Sequence, residues 1–453
     1  MISLGICFVA FVTSLFFSRR SLVAGLATVV AAGYAYGIVR AHLQESFAHF
    51  IFDAAVLGLY VTQAGKLFEE TRRQDVRALR LWVMVLIAWP VILLIVPWQD
   101  PVIQIVGLRG TAFLLPFLLV GAELDDQRAR SLAVAMAVLN VIALGFAAAE
   151  YVLGVDRFVP YVAGVTDIVY EGTLFEGSSE LRIPSTFVNA HAYGGTMLIT
   201  LPWIVGAWVE NRVRKRQGRL LGIGIVACIL GVCMSGARSH FVVLVLLVVV
   251  ATALLTRAGR VTRRRCLPIW LSILVIVGGL VASEERLQRF TSLEDTQMVR
   301  ARVAGSVNMG FWEVMSVYPF GNGLGGGGTS IPYFLHDRIK EPVEIESEYA
   351  RILLEQGLPG LTLWIVFIGW LFIRRPSVGG EQWYLGRQLL AVCAAAFFAT
   401  GLIGLGLLTS IPQTAIMLLG AGWVAVRPPG QGNENDPGRR RIVVRMRSPK
   451  GVR

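Results

Sequence analysis

The chain has 453 residues, of which 55% are hydrophobic and only 16% charged, with a mean hydropathy of +0.62 and a formal net charge of +12. Soluble chains carry about a quarter charged residues, so this composition excludes a water-borne globule and makes lipid the solvent for much of the surface. A basic excess could suggest nucleic acid, but in a membrane chain it reads as Lys and Arg that fix orientation, with no nucleic-acid partner.

The N-terminus has no positive charge before its first apolar run, and Arg19 and Arg20 follow it. That order favours an uncleaved first span with its N-terminus outside over a cleaved leader. A bilayer core needs roughly 17 to 25 mainly apolar residues per helix. Stretches of that kind lie near 2–17, 22–39, 49–65, 81–98, 102–121, 131–150, 192–209, 219–235, 239–256, 267–283, 357–373, 388–409 and 411–426. Backbone groups cannot stay open in lipid, so these are expected to be helices. Pro412 leaves only a tight turn between the last two, which could also form one broken hairpin.

The prediction is an all-α polytopic membrane protein with 12–13 transmembrane helices. Alternate connections carry Arg19–Arg20, Lys66 to Arg80, Arg128 and Arg130, Arg212 to Arg219, Arg257 to Arg265, Arg374 to Arg387, and the tail from Arg427. They hold 30 of the 42 Lys and Arg residues. This bias predicts an N-terminus outside and a cytoplasmic C-terminus. The basic tail, with Arg439, Arg440 and Arg441, reads as an arm on anionic headgroups. The five cysteines (Cys7, Cys228, Cys233, Cys266 and Cys393) each lie in or beside an apolar stretch and predict neither a disulfide framework nor a metal site.

The expected organisation is N-terminal helices over 1–150, an outside loop over 151–191, helices over 192–283, a large outside loop over 284–356, helices over 357–426, and a basic tail over 427–453. The first loop carries five acids (Asp156, Asp167, Glu171, Glu176 and Glu180) and two arginines. In the second, Val299, Val303, Val307, Phe311, Val314 and Met315 recur at helical spacing and predict an amphipathic helix ending before Pro319. Loops of this length tend to be functional or disordered, and this one is expected to roof a cavity. No internal repeat marks an inverted-repeat transporter.

Charged residues in or beside the spans are the informative ones. Arg109, in Gly107-Leu108-Arg109-Gly110, falls inside the fifth span, where an arginine costs about 2.5 kcal/mol or more unless it serves a purpose or snorkels to the interface. Arg182 opens the stretch Arg182-Ile183-Pro184-Ser185-Thr186-Phe187-Val188-Asn189-Ala190-His191, and Arg238 sits in the short turn Ser235-Gly236-Ala237-Arg238-Ser239. All three reach the outer half of the membrane in this topology. Guanidinium groups bind phosphate oxygens bidentately and keep their charge in a low dielectric, so the set suits a lipid-linked diphosphate; headgroup contact is the plainer reading of Arg238.

The large loop adds Pro319-Phe320-Gly321-Asn322-Gly323-Leu324 and Gly325 to Gly328, then His336, then Glu346-Ser347-Glu348-Tyr349-Ala350-Arg351 through Glu355-Gln356-Gly357-Leu358-Pro359-Gly360. The glycine run reads equally as a phosphate-binding nest of N–H groups and as a plain flexible loop. Glu346, Glu348 and Glu355 read first as solvated loop carboxylates, and His191 and His336, taken singly, as structural. Asp53, in the third span, shows no evident partner.

These residues resemble the O-antigen ligase and O-antigen polymerase superfamily of bacterial envelope glycosyltransferases. The carriers are the arginine of the Arg182–Asn189 stretch before a span, the small-residue turn with Arg238, and a large outside loop. That loop holds Trp312, a Pro-Gly-rich run, and a terminal motif matched by Ser347, a nine-residue spacer, Gly357 and Gly360. The resemblance spans roughly 100–425. Where ligases of this superfamily place a histidine, this chain has Glu346, which argues for a polymerase-like or exopolysaccharide relative.

The resemblance implies a GT-C-like helical fold and an inverting, metal-independent transfer without a cofactor. The donor would be an undecaprenyl-diphosphate-linked glycan in exopolysaccharide or O-antigen biosynthesis. Arg182 and Arg238, with Arg109 as a third, would hold the diphosphate; Glu346 would act as base on the acceptor hydroxyl, with His336 as its rival. Ser347, Tyr349, Gly357, Gly360 and Trp312 would shape the acceptor side. A chain-length regulator or other assembly proteins would be the protein partners. The alternatives are a ligase attaching glycan to lipid A core or protein, a transporter or flippase, which needs paired carboxylates or broken helices at the midplane, and a structural scaffold.

Overall fold

A computed structural model describes residues 1–43, 45–68, 74–160, 171–173, 179–210, 215–257, 297, 300, 310–343, 345, 347–373, 384–404 and 406–426. Ten helical segments, from Ile2–Arg20 to Glu348–Ile373, are long and apolar enough to cross a bilayer, and two shorter apolar helices, Leu385–Thr400 and Gln413–Ala425, follow. The chain is a multi-pass helical membrane protein. Every expected span has its helix except 267–283, which lies outside the described residues.

The N-terminal helices are α1 (Ile2–Arg20), α2 (Leu22–Leu43), α3 (Ile51–Phe68, extended at its start by a 3₁₀ turn over Ser46–Phe50) and α4 (Gln74–Leu93). The fifth expected span is broken. Helix α5 (Pro101–Ala112) stops, the chain tightens through i→i+3 bonds around Pro116, and α6 (Phe117–Ala122) resumes. Proline has no N–H to continue a helical ladder, so a break forms there. Helix α7 (Asp126–Leu153) is followed in the first outside loop by a two-stranded antiparallel hairpin, β1 (Glu171–Thr173) with β2 (Ser179–Leu181).

Next come α8 (Ala190–Glu210), α9 (Lys215–Met234) and α10 (Arg238–Arg257). In the large loop the described part of the amphipathic helix is α11 (Gly310–Val317), which ends before Pro319 as the periodicity predicts. Val314 faces the protein while Trp312 is 56% exposed. Helix α12 (Glu348–Ile373) begins nine residues earlier than the span expected at 357–373 and breaks at Gly357, where φ is 69° and ψ −177°. Helix α13 (Tyr384–Thr400) stops short, 401–404 and 406–412 are non-helical, and α14 (Gln413–Ala425) closes the bundle. The last pair is therefore a broken hairpin with a twelve-residue connection.

Two devices hold the bundle. Small residues allow backbone approach, as membrane helices require where apolar burial against lipid gives no driving force. A Cβ at Gly121 would overlap the Leu419 carbonyl, and one at Gly422 the Leu118 carbonyl, so α6 and α14 meet backbone to backbone. Buried polar groups cross-link the rest. The Asn140 amide donates to Thr200 Oγ1 at 2.8 Å and Cys228 Sγ at 3.0 Å and accepts from the Tyr34 hydroxyl, tying α2, α7, α8 and α9 together. At the other end, Arg387 donates to the Trp423 carbonyl at 2.9 Å, pairs with Asp126 at 3.5 Å and lies over the Trp423 ring, which stacks on Trp203.

Candidate functional site

The first turns of α12 do not carry solvated loop carboxylates. Ser347 caps the helix: its hydroxyl takes the Ala350 N–H at 3.5 Å and donates to the Gly401 carbonyl at 3.3 Å. Glu348, Arg351 and Glu355 sit on one helical face, at i, i+3 and i+7, and all three are fully buried. Arg351 donates from Nε and Nη2 to Glu348 Oε1, at 2.9 and 2.5 Å, and from Nη1 to Glu355 Oε2 at 2.8 Å. The second Glu348 oxygen accepts the Gly406 N–H at 2.9 Å, and the Gly325 and Gly327 amides face Glu355. A buried charge survives only when paired and hydrogen-bonded, and this triad satisfies its arginine from both sides. Its spacing was visible in the sequence; what hid it was the assumption that the membrane began at residue 357.

Several expected site residues are structural. The Tyr349 hydroxyl donates to the Phe398 carbonyl at 2.9 Å and anchors α12 on α13. Gly357 provides the left-handed break against which Phe320 packs, and Gly360 leaves room for Trp89, whose Nε1 donates to the Gln356 carbonyl at 3.1 Å. Trp312 points outward from α11. His336 lies in a 3₁₀ turn (Tyr333–Arg338) with Nε2 3.0 Å from the Ile331 carbonyl. Glu346 lies outside the described residues.

The glycine run is folded into consecutive turns. Gly326 donates to the Gly323 carbonyl, Gly328 to Gly325, Thr329 to Gly327 and Ile331 to Gly328, while the Gly325 and Gly327 amides face Glu355. Gly321, Gly323, Gly325 and Gly328 all have positive φ, a backbone that other residues adopt at a cost. The run is wedged between α12 and α5: Asn322 N–H donates to the Leu354 carbonyl at 2.6 Å, and a Cβ at Gly107 would overlap Gly325. Buried Gln99 clamps its flanks, donating to the carbonyls of Asn322 and Lys340 at 2.9 and 3.0 Å and accepting the Lys340 N–H at 2.8 Å.

Arg109 is a correction of the same kind. Its Nε donates to Asp53 at 2.5 Å and its Nη2 to the His49 carbonyl at 3.3 Å, while its guanidinium lies over the Phe50 ring. Asp53 has the partner the sequence did not reveal. Gly107 and Gly110 beside it receive Gly325 and Ser330, so the Gly-Leu-Arg-Gly motif is the seat of the glycine run. Arg109 is engaged in an internal ion pair with Asp53.

Arg182 and Arg238 meet different company. The Arg182–Asn189 stretch is fixed from below by the fully buried Glu150, whose carboxylate accepts the Ser185 N–H at 2.7 Å, while the Ser185 hydroxyl donates to the Ala143 carbonyl at 2.7 Å. Thr186 and Phe187 run against Gly37 of α2, where the Ile38 N–H donates to the Thr186 carbonyl. Asn189 caps α8 by accepting the Ala192 N–H at 2.7 Å. In the first turn of α8, His191 lies within electrostatic range of Arg182 and packs against His240, in the first turn of α10, with ring centroids 4.2 Å apart and planes inclined by 36°.

A Cβ at Gly406 would stand 3.9 Å from His191 Cδ2, and the Gly406 N–H caps Glu348. The starts of α8, α10 and α12 therefore converge at one end of the bundle, where helix dipoles favour an anion. Arg182, His191 and Arg238 are half-buried there. The sequence flagged both arginines but read His191 as structural, and nothing local announced His240 as a partner, because the pairing spans separate helices. Among the described residues no group of three His, Cys, Asp or Glu side chains gathers as a metal site. No protein-family model and no curated protein matches the chain.

Proposed function

We propose that the chain is a membrane glycosyltransferase that lengthens, on the periplasmic side, a glycan carried on undecaprenyl diphosphate. The observation that carries this reading is the convergence of Arg182, Arg238, His191 and His240 at the starts of α8 and α10, on the side that the charge bias predicts to be outside. Fixed guanidiniums and helix N-termini stabilise the charge that develops on a departing diphosphate without reorganising during the reaction. The bond to diphosphate already stores the energy of transfer. Glu346 and the acceptor sugar belong, by resemblance, to the lid side of this site.

The test is to replace Arg182, Arg238 and Glu346 singly by Ala, Ala and Gln, and to assay polymer length in cells and with purified lipid-linked repeat units. Loss of one fixed charge-stabilising donor costs about 10²–10³ in rate, so each arginine variant is expected to yield short or no polymer. Polymer of normal length from all three variants would end the enzymatic reading.

A second reading, translocation of the lipid-linked glycan, is favoured by the paired carboxylates on Arg351 and the break at Gly357. Helix α12 has 26 residues, about 39 Å at 1.5 Å per residue, and the triad occupies its first two turns. These charges stand near one face of the bilayer and away from its midplane, and so fit a stabilised lid better than a gate.

A further inference from the structure

We infer that His191, backed by His240, accepts the proton in this transfer, an inference that rests on the transferase reading above. The His336 ring already faces the Ile331 carbonyl. His191 differs in three respects. It is half-buried and reachable, the Asn189 cap fixes the turn that carries it, and it stands beside Arg182. Beneath it, His240 is 3% exposed, and its Nδ1 has no hydrogen-bond partner among the described residues. Gly194 keeps that nitrogen open, for a Cβ at this position would stand 3.1 Å away.

Buried polar atoms are normally satisfied, and a buried imidazole with an open nitrogen requires a reason. The His240 ring lies against that of His191, with centroids 4.2 Å apart and planes inclined by 36°, and so holds the position of the ring that takes the proton.

The step balances as an inverting displacement. The acceptor oxygen bonds to the anomeric carbon as the anomeric carbon–oxygen bond to the diphosphate breaks, and that electron pair departs with the diphosphate. The acceptor proton passes to His191 and from there to water. Diphosphate held by Arg182 and Arg238 sets negative charge near the imidazolium at the moment it forms, so leaving-group binding and proton removal reinforce one another. Glu346 then orients the acceptor and is not required to take its proton.

The experiment compares the full purified chain with its H191A, H191N, H240A and E346Q variants in lipid nanodiscs, with lipid-linked repeat units as substrate and imidazole added or withheld. General-base catalysis contributes about 10²–10⁴-fold. H191A and H191N are expected to lose rate in that range with little change in KM, and H240A to lose less. Added imidazole is expected to restore part of the H191A rate and none of the E346Q rate, a rescue that a merely structural histidine could not give. Wild-type kcat in H191A, or a loss that imidazole leaves untouched while KM rises, would overturn the assignment to His191. A wild-type chain that elongates nothing would instead overturn the transferase reading, and this inference with it.

Discussion

Two arginine sites at the same end of the bundle are built to opposite plans. Arg351 is sealed, with no exposure, a carboxylate on each side and a backbone amide capping one of those carboxylates. Arg182 and Arg238 are half-buried beside two packed imidazoles at the starts of separate helices. An arginine at membrane depth is expensive and is read as functional by default, but the expense alone does not say which function. A guanidinium enclosed by carboxylates fixes a fold; one half-buried near a helix start stands where an anion is favoured. Arg109, with Asp53 at 2.5 Å, belongs with the first kind.

The comparison is broken most forcefully at Arg351. Removing it leaves two carboxylates buried together, and breaking a buried pair costs about 3–5 kcal/mol. R351L is expected to abolish recovery of folded protein or to lower its melting temperature sharply, and R182A to lower it far less. A normal melting temperature for R351L would show that the triad is not a structural lock.

Asp53 gives the next effect. D53L is expected to destabilise by about 3 kcal/mol by stranding Arg109, and D53L/R109L to recover most of that loss. Melting curves of the two single variants and the double variant measure the coupling directly. Additive losses would return Arg109 to the diphosphate-binding set.

At Gly357, G357A forces a left-handed backbone on a residue with a Cβ, at a position where Phe320 already crowds. An expected loss of about 1–3 kcal/mol, read by thermal unfolding, would show that this break is part of the ground-state fold. The smallest effect is at Asn140. N140A should cost about 1 kcal/mol or less, since interhelical hydrogen bonds in membranes average near 0.6 kcal/mol, with polymer length unchanged.

Much of the fold was legible because lipid imposes a simple rule: about twenty apolar residues per helix, with Lys and Arg on alternate connections. What eluded the sequence were breaks and partners. Glu348 reads as a loop acid until α12 is seen to begin there, and its i+3 and i+7 neighbours supply the pairing. Gly321 to Gly328 look equally like a nest or a tether, because their composition permits any backbone; the contacts with α5 and Leu354 decide which turns form. His191 carried a local signal next to Arg182. His240 carried none, since a ring pair between α8 and α10 is a tertiary fact that no spacing encodes.

The sharpest measurement on the arginine site is ligand-induced stabilisation. A ligand that binds only the folded state at a hundred times its Kd adds about 2.7 kcal/mol, so undecaprenyl diphosphate should raise the melting temperature of the wild-type chain and of D53L/R109L alike. The same lipid should leave R182A/R238A unmoved. Equal stabilisation of R182A/R238A and wild type would contradict the account, because the diphosphate would then be held somewhere other than the starts of α8 and α10.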